Sequence, residues 1–126
     1  MERNEYQAYN SVIYEGEILT VLFVNNNVCE LSNGVSVPQI ALSPIHLSED
    51  NINETDSCFI NKSSGLLHVT VENVKIVVDL SNGVCLVEDK KNPKNGNTYH
   101  DVFCFHILQN IIYSHVGRRL VLEPKK

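Results

Sequence analysis

Apolar positions in the first three quarters of the chain come in short runs that Asn, Gly and Ser interrupt every few residues. Sixteen Val and ten Ile supply most of these runs, and β-branched side chains suit a pleated, half-buried backbone. Residues 9–14 and 17–24 flank Glu15-Gly16 and predict a hairpin. Residues 25–27 are three asparagines that close its second strand, and residues 28–31 and 35–37 predict another hairpin around Ser32-Asn33-Gly34. Pro38 ends that strand or holds it at an edge, because its ring removes a ladder N–H. Residues 1–39 therefore predict a β-meander of about four strands, small enough to curl into an SH3-like half-barrel.

The pattern changes over residues 40–57, which read as a connector: Pro44 sets an extended segment through Ile45-His46-Leu47, and Ser48 offers an N-cap to about a turn and a half of helix at Glu49-Asp50. A second β group spans 58–88, with strands at 58–61, 66–71, 74–80 and 84–87 joined by polar turns. The string LSNGV occurs at 31–35 and again at 80–84; Asn-Gly is so common in type I′ hairpins that convergent turn chemistry explains it more economically than duplication. Residues 89–97 read as a solvated loop. One long helical pattern follows over 98–117, with Thr98 and Asp101 as a capping box and Gly117 at C′. Residues 120–123 then offer a last strand. The expected fold class is α+β within a single domain, 1–126: a mainly antiparallel twisted sheet with one long C-terminal helix packed on it.

Composition narrows the function classes. A net charge of −5 opposes bulk binding to a phosphate backbone, and Lys90, Lys91 and Lys94 lack interleaved aromatics, so they read as a solvated loop. No apolar run approaches the roughly 20 residues of a membrane span, and the first five residues lack a signal peptide's apolar stretch, so a cytoplasmic chain without membrane association is expected. Cys29, Cys58, Cys85 and Cys104 lie far apart beside apolar residues with no CxxC pair, which suits reduced, buried thiols.

Candidate chemistry concentrates on the long helix. Cys104, Phe105, Leu108, Ile111 and Ile112 share one face and must pack on the sheet, while His106, Gln109, Asn110 and Tyr113 share the other at i, i+3, i+4 and i+7. An imidazole, two carboxamides and a phenol side by side suit a ligand's polar edge or a partner's backbone; they equally suit a solvated outer face. A third arrangement ties at least two of them by hydrogen bonds to residues 44–47 or to a loop, as a latch. His100 and Cys104 stand four apart, yet no paired-Cys or HExxH spacing accompanies them, so no metal is expected. Cys104 sits away from the expected helix start and from any close cation, and is not expected to be a nucleophile. Phosphate-loop, dinucleotide and nucleophile-elbow motifs are missing, and Glu49, Asp50, Glu54 and Asp56 cluster in a connector. The expectation is no catalytic residue, no cofactor and no enzyme.

Two stretches resemble a known family when taken together. Leu42-Ser43-Pro44-Ile45-His46-Leu47-Ser48-Glu49-Asp50 resembles a "PIPLTEEIL" connector, and residues 105–113 with Val116-Gly117-Arg118-Arg119-Leu120 resemble a "VHQLQNLYFALTGEEL" ending. Both belong to a family of small uncharacterised proteins of gut Bacteroidales and their phages or mobile elements. His106, Leu108, Gln109, Asn110, Gly117 and Leu120 match the ending, while Arg118 and Arg119 replace two acidic residues and His46 replaces a proline. The resemblance lends no activity, because the family is itself uncharacterised; the expected function is a non-catalytic protein-binding module of a phage or mobile element, an inhibitor or adaptor acting on a host or phage protein. The alternative is a small-molecule binder, such as a counter-defence sponge for a nucleotide-like signal. Its ligand, or a protein partner, would meet His106, Gln109, Asn110, Tyr113, Arg118 and Arg119. A homodimer is compatible with either reading.

Overall fold

Alternating inward valines and polar turns build two separate sheets. The computed structural model describes residues 6–48, 52–53, 59–63, 65–89, 97–117 and 123–124. Strands β1 (Ser11–Tyr14), β2 (Glu17–Asn25), β3 (Val28–Leu31) and β4 (Ser36–Pro38) form an antiparallel meander in that order. Strands β6 (Phe59–Ser63), β7 (Leu66–Val71), β8 (Val74–Asp79), β9 (Cys85–Asp89) and β10 (Asn97–Tyr99) form a second antiparallel meander of five. Among the described residues one α-helix, α1 (Phe105–Val116), follows, so the fold is α+β. A short ribbon pairs β5 (Ile52–Asn53) with β11 (Glu123–Pro124).

In the second sheet Leu67, Val69, Val71, Val74, Ile76, Val78, Cys85 and Val87 all point to one side and are buried. Phe105, Leu108, Ile111 and Ile112 of α1 meet them in one apolar cluster, with Ile45 and Ile52 from the connector and Val102. Full burial of side chains of this size stabilises by about 1.5–3 kcal/mol each, so this helix face determines where α1 lies. The first sheet curls round its own cluster of Tyr6, Val12, Val21, Cys29, Leu31, Val37 and Leu42. A register shift between Val21 and Phe23 bends β2, as a bulge does. The β1–β2 hairpin is apolar on both sides: Val12 and Val21 face the first cluster, while Ile13 and Ile18 pack against the second.

Turn chemistry differs from the sequence expectation in an instructive way. Glu15 (φ 50°) and Gly16 (φ 81°) both take left-handed backbone between the paired Tyr14 and Glu17, which is the type I′ hairpin geometry. The two LSNGV strings do not form it. Leu31 N–H donates to Val35 O across one loop, but Asp79 N–H donates to Val84 O across the other, one residue longer. Leu31 is a strand residue and Leu80 a turn residue, so the same letters serve different loops. What they share is Asn33 or Asn82 accepting an N–H two residues on, an Asx turn.

The helix also starts later than the 98–117 expected. Asn97–Tyr99 is strand, paired to β9, and Asp101 is left-handed at φ 59°, which stops a helix from running through it. The Thr98–Asp101 capping box is therefore not formed. Cys104 is the N-cap with no side-chain bond, which corrects the placing of this thiol away from a helix start. Connector backbone supplies the cap: Phe105 N–H donates to Ile45 O at 2.7 Å and Leu47 N–H to Phe103 O at 2.8 Å. The C-terminal end follows expectation, with Gly117 at φ 81° donating to Tyr113 O. The connector itself carries strand β5 at 52–53, and the helical turn expected at 49–51 lies outside the described residues. The last strand is β11 at 123–124, whereas residues 118–122 lie outside the described residues.

Candidate functional site

α1 is amphipathic, with a polar stripe of His106, Gln109, Asn110 and Tyr113 beside its Leu108 face. The structure turns that stripe inward, against the residues that lead into β1. Gln109 is 8% exposed; its Oε1 accepts the Ser11 backbone N–H at 2.8 Å and its Nε2 donates to Ser11 Oγ at 3.3 Å. Asn110 Oδ1 accepts from Asn10 Nδ2 at 2.8 Å, and Asn10 Oδ1 in turn accepts the Gln7 N–H at 2.7 Å. A chain of carboxamides thus joins the helix to the turn before β1. His106 is 2% exposed, its ring 4.7 Å from that of Tyr6 and tilted by 54°. Its Nδ1 has no hydrogen-bond partner among the described residues, and burial pushes its pKa down to about 4. Tyr113 is 39% exposed.

Two carboxamides of the stripe are therefore hydrogen-bonded within the protein, as a latch requires, and of the two expected anchors it is a loop, at Asn10 leading into Ser11 of β1, that holds them. The solvated outer face is corrected for His106 and Gln109, which are buried. No spacing in the sequence marks Asn10, Ser11 or Tyr6, because about a hundred residues separate them from the helix. Arg118 and Arg119 lie outside the described residues.

The described residues also line two surface hollows. Asp89, Asn97, Tyr99, Ser114 and His115 line a polar cleft of about 260 Å³, where Tyr99 Oη and His115 Nε2 are hydrogen-bonded at 2.9 Å. Sequence reading missed this pair by placing Tyr99 on the helix. On the outer face of the second sheet, His68, Thr70, Lys75, Val77, Leu86 and Glu88 line a hollow of about 320 Å³, with Lys75 and Glu88 directly opposite across the strands. Among the described residues no three His, Cys, Asp or Glu side chains converge as metal ligands. Cys29 and Cys85 are buried free thiols and Cys104 is half-buried; burial raises the pKa of all three, that of Cys85 to about 11. Such thiols are poor nucleophiles.

Several exposed apolar side chains stand on the outside of the first sheet. Beyond the β2 bulge, Phe23 is 57% exposed and pairs directly with exposed Glu30; Val28, 43% exposed, pairs with Pro38. Ile40, in the 3₁₀ turn Gln39–Ala41 that follows β4, is 86% exposed. α1 covers the β1 part of this side of the sheet through Ser11 and Ile13 and leaves these residues uncovered. No protein-family model, curated protein or solved structure matches the chain.

Proposed function

We propose that the chain is a non-catalytic protein-binding module whose partner docks on the outer face of the first sheet. One observation carries this reading: Phe23, Val28 and Ile40 expose large apolar side chains on neighbouring strands and the turn beside them. Apolar side chains exposed on paired strands and the turn beside them gain free energy when a partner covers them. The polar helix face supports the same reading indirectly, since His106, Gln109 and Asn110 are engaged in joining the sheets. The resemblance of the connector and helix adds the proposal that the partner is a host or phage protein, and the meander's curl suits an SH3-like module. A small-molecule reading would rest instead on the Tyr99–His115 cleft. There the Asp89 carboxylate opposes a nucleotide's phosphates, which ranks that reading second.

Affinity capture from lysate of the producing cells tests the module. Wild-type protein should retain a protein that Phe23→Ser/Ile40→Ser loses at unchanged melting temperature. Retention by both would show that the partner uses another surface.

A further inference from the structure

Charge is segregated along this chain. Residues 4–61 contain eight Asp and Glu and no Lys or Arg, whereas residues 62–126 contain nine Lys and Arg against six Asp and Glu. The described first sheet and its turns, residues 6–48, carry only Glu15, Glu17 and Glu30 as charged side chains other than His46, and all three are exposed. Glu30 is the one whose strand register puts it inside the apolar face. It stands opposite Phe23 on β2, with Val28 two residues along the same strand on the same side. Directly opposed side chains on one sheet face have Cβ atoms about 4.5–5.5 Å apart. An aromatic ring and a carboxylate at that separation suit an arginine: its guanidinium plane lies on the ring while its N–H fork meets the carboxylate.

The sheet edge, by contrast, is a poor template. Gln39 N–H donates to Asn27 O and Leu31 N–H to Val35 O, so the alternation of an antiparallel ladder turns the backbone of Ser36 and Pro38 outward. Pro38 has no N–H to offer there. An added strand would find one outward N–H on β4, that of Ser36, so recognition must come from side chains on the face.

Resting on the protein-binding reading above, we infer that the outer face of the first sheet recognises an arginine flanked by apolar residues on a partner segment, with the arginine seated between Phe23 and Glu30 and the apolar residues on Val28 and Ile40. The charge on the module selects a basic partner and rejects an acidic one, because residues 6–48, which carry this face, contain three Glu and no Lys or Arg.

Titration of the ¹⁵N-labelled full chain with short synthetic peptides tests this, since amide shifts report weak binding and locate it. The probes are Gly-Leu-Arg-Val-Gly and its Gln, Lys and Glu replacements at the third position. The expected result is shifts centred on Phe23, Val28, Glu30 and Ile40 with the Arg peptide, weaker binding with Lys, about five-fold weaker with Gln, and none with Glu. Glu30→Gln should abolish the preference for Arg over Gln while apolar contact persists, and Phe23→Ser should weaken every peptide. Equal binding of the Arg, Gln and Glu peptides on this face would overturn the arginine site and leave the protein-binding face standing. Shifts elsewhere, or no shifts together with partner capture unaffected by Phe23→Ser/Ile40→Ser, would overturn both. Concentration-dependent self-association lost in Glu30→Gln would make a second copy the occupant and overturn the separate partner.

Discussion

His106 shows how one residue can be legible in position and illegible in role. Its helical spacing with Gln109, Asn110 and Tyr113 is plain in the sequence, but its burial depends on Tyr6, a hundred residues earlier. In the unfolded chain an imidazole takes up a proton near its ordinary value of 6.5; in the fold, burial lowers this to about 4. Between those values the unfolded state binds more protons, so this contribution is complete above pH 6.5 and is lost as pH falls through 4. The full difference is about 3 kcal/mol. His106→Phe, which keeps a ring against Tyr6 without a titrating group, should flatten the stability difference between pH 7 and pH 4, measured by urea melts. An unchanged acid limb would remove His106 as its cause. At the neighbouring position, Gln109→Ala leaves the buried Ser11 N–H and hydroxyl without their partner, at a cost of about 1–3 kcal/mol. A fall of several degrees in melting temperature is expected, with less for Asn110→Ala, whose partner Asn10 keeps its bond to Gln7.

At the scale of elements, the alternation of Val and Ile with polar residues was enough to place most strands, because in strands such as β3, β7 and β8 the buried positions are apolar and alternate with more exposed ones. The helix core 105–116 was equally readable. Its start was not: Thr98-x-x-Asp101 has the form of a capping box, yet tertiary pairing of Asn97–Tyr99 to β9 overrides it. A strand added by pairing leaves no local mark, and neither does a cap made by the backbone of Ile45. The partners Asn10 and Ser11 were illegible for the same reason. Between β10 and α1 the chain crosses Gly83, which is buried at φ 74° beneath the Phe103 ring; a Cβ there would stand 2.6 Å from Phe103 Cζ. Gly83 O also accepts the Val102 N–H, so the link to the helix cannot shift freely. Gly83→Ala combines a left-handed backbone cost of about 1–2 kcal/mol with this overlap. A loss of at least 2 kcal/mol, about that strain plus some overpacking, is expected in urea melts. Phe103→Ala should remove only the steric part when combined with it, and strict additivity of the two would show that the ring is not the obstacle.

For the whole molecule, the arrangement of two cores and one helix makes a definite claim about cooperativity. Among the described residues, the second sheet and the Phe105–Leu108–Ile112 face share a cluster of fifteen buried residues, while the first sheet has a cluster of seven. Smaller cores bury a smaller fraction of their surface and are marginal alone, so the first sheet depends on its attachment. That attachment includes Ile13 and Ile18 packed on the larger cluster, the Ile13–Ser43 backbone pair, the Tyr6–His106 ring contact, and the hydrogen bonds that join Gln109 and Asn110 with Ser11 and Asn10. Removing the carboxamides severs the polar part and spares both cores. In Gln109→Ala/Asn110→Ala, amide hydrogens of β2 and β3 should therefore exchange through a partial opening that leaves β7 and β8 protected, whereas in wild type both sheets exchange with similar free energies. If the variant lost protection equally in both sheets, the helix stripe would be contributing to one common core, and a latch between two unequal ones would be the wrong description. If instead the first sheet opened selectively, the surface bearing Phe23 and Glu30 would be carried by the less stable half, so a partner that binds it should restore protection to β2 and β3 by mass action.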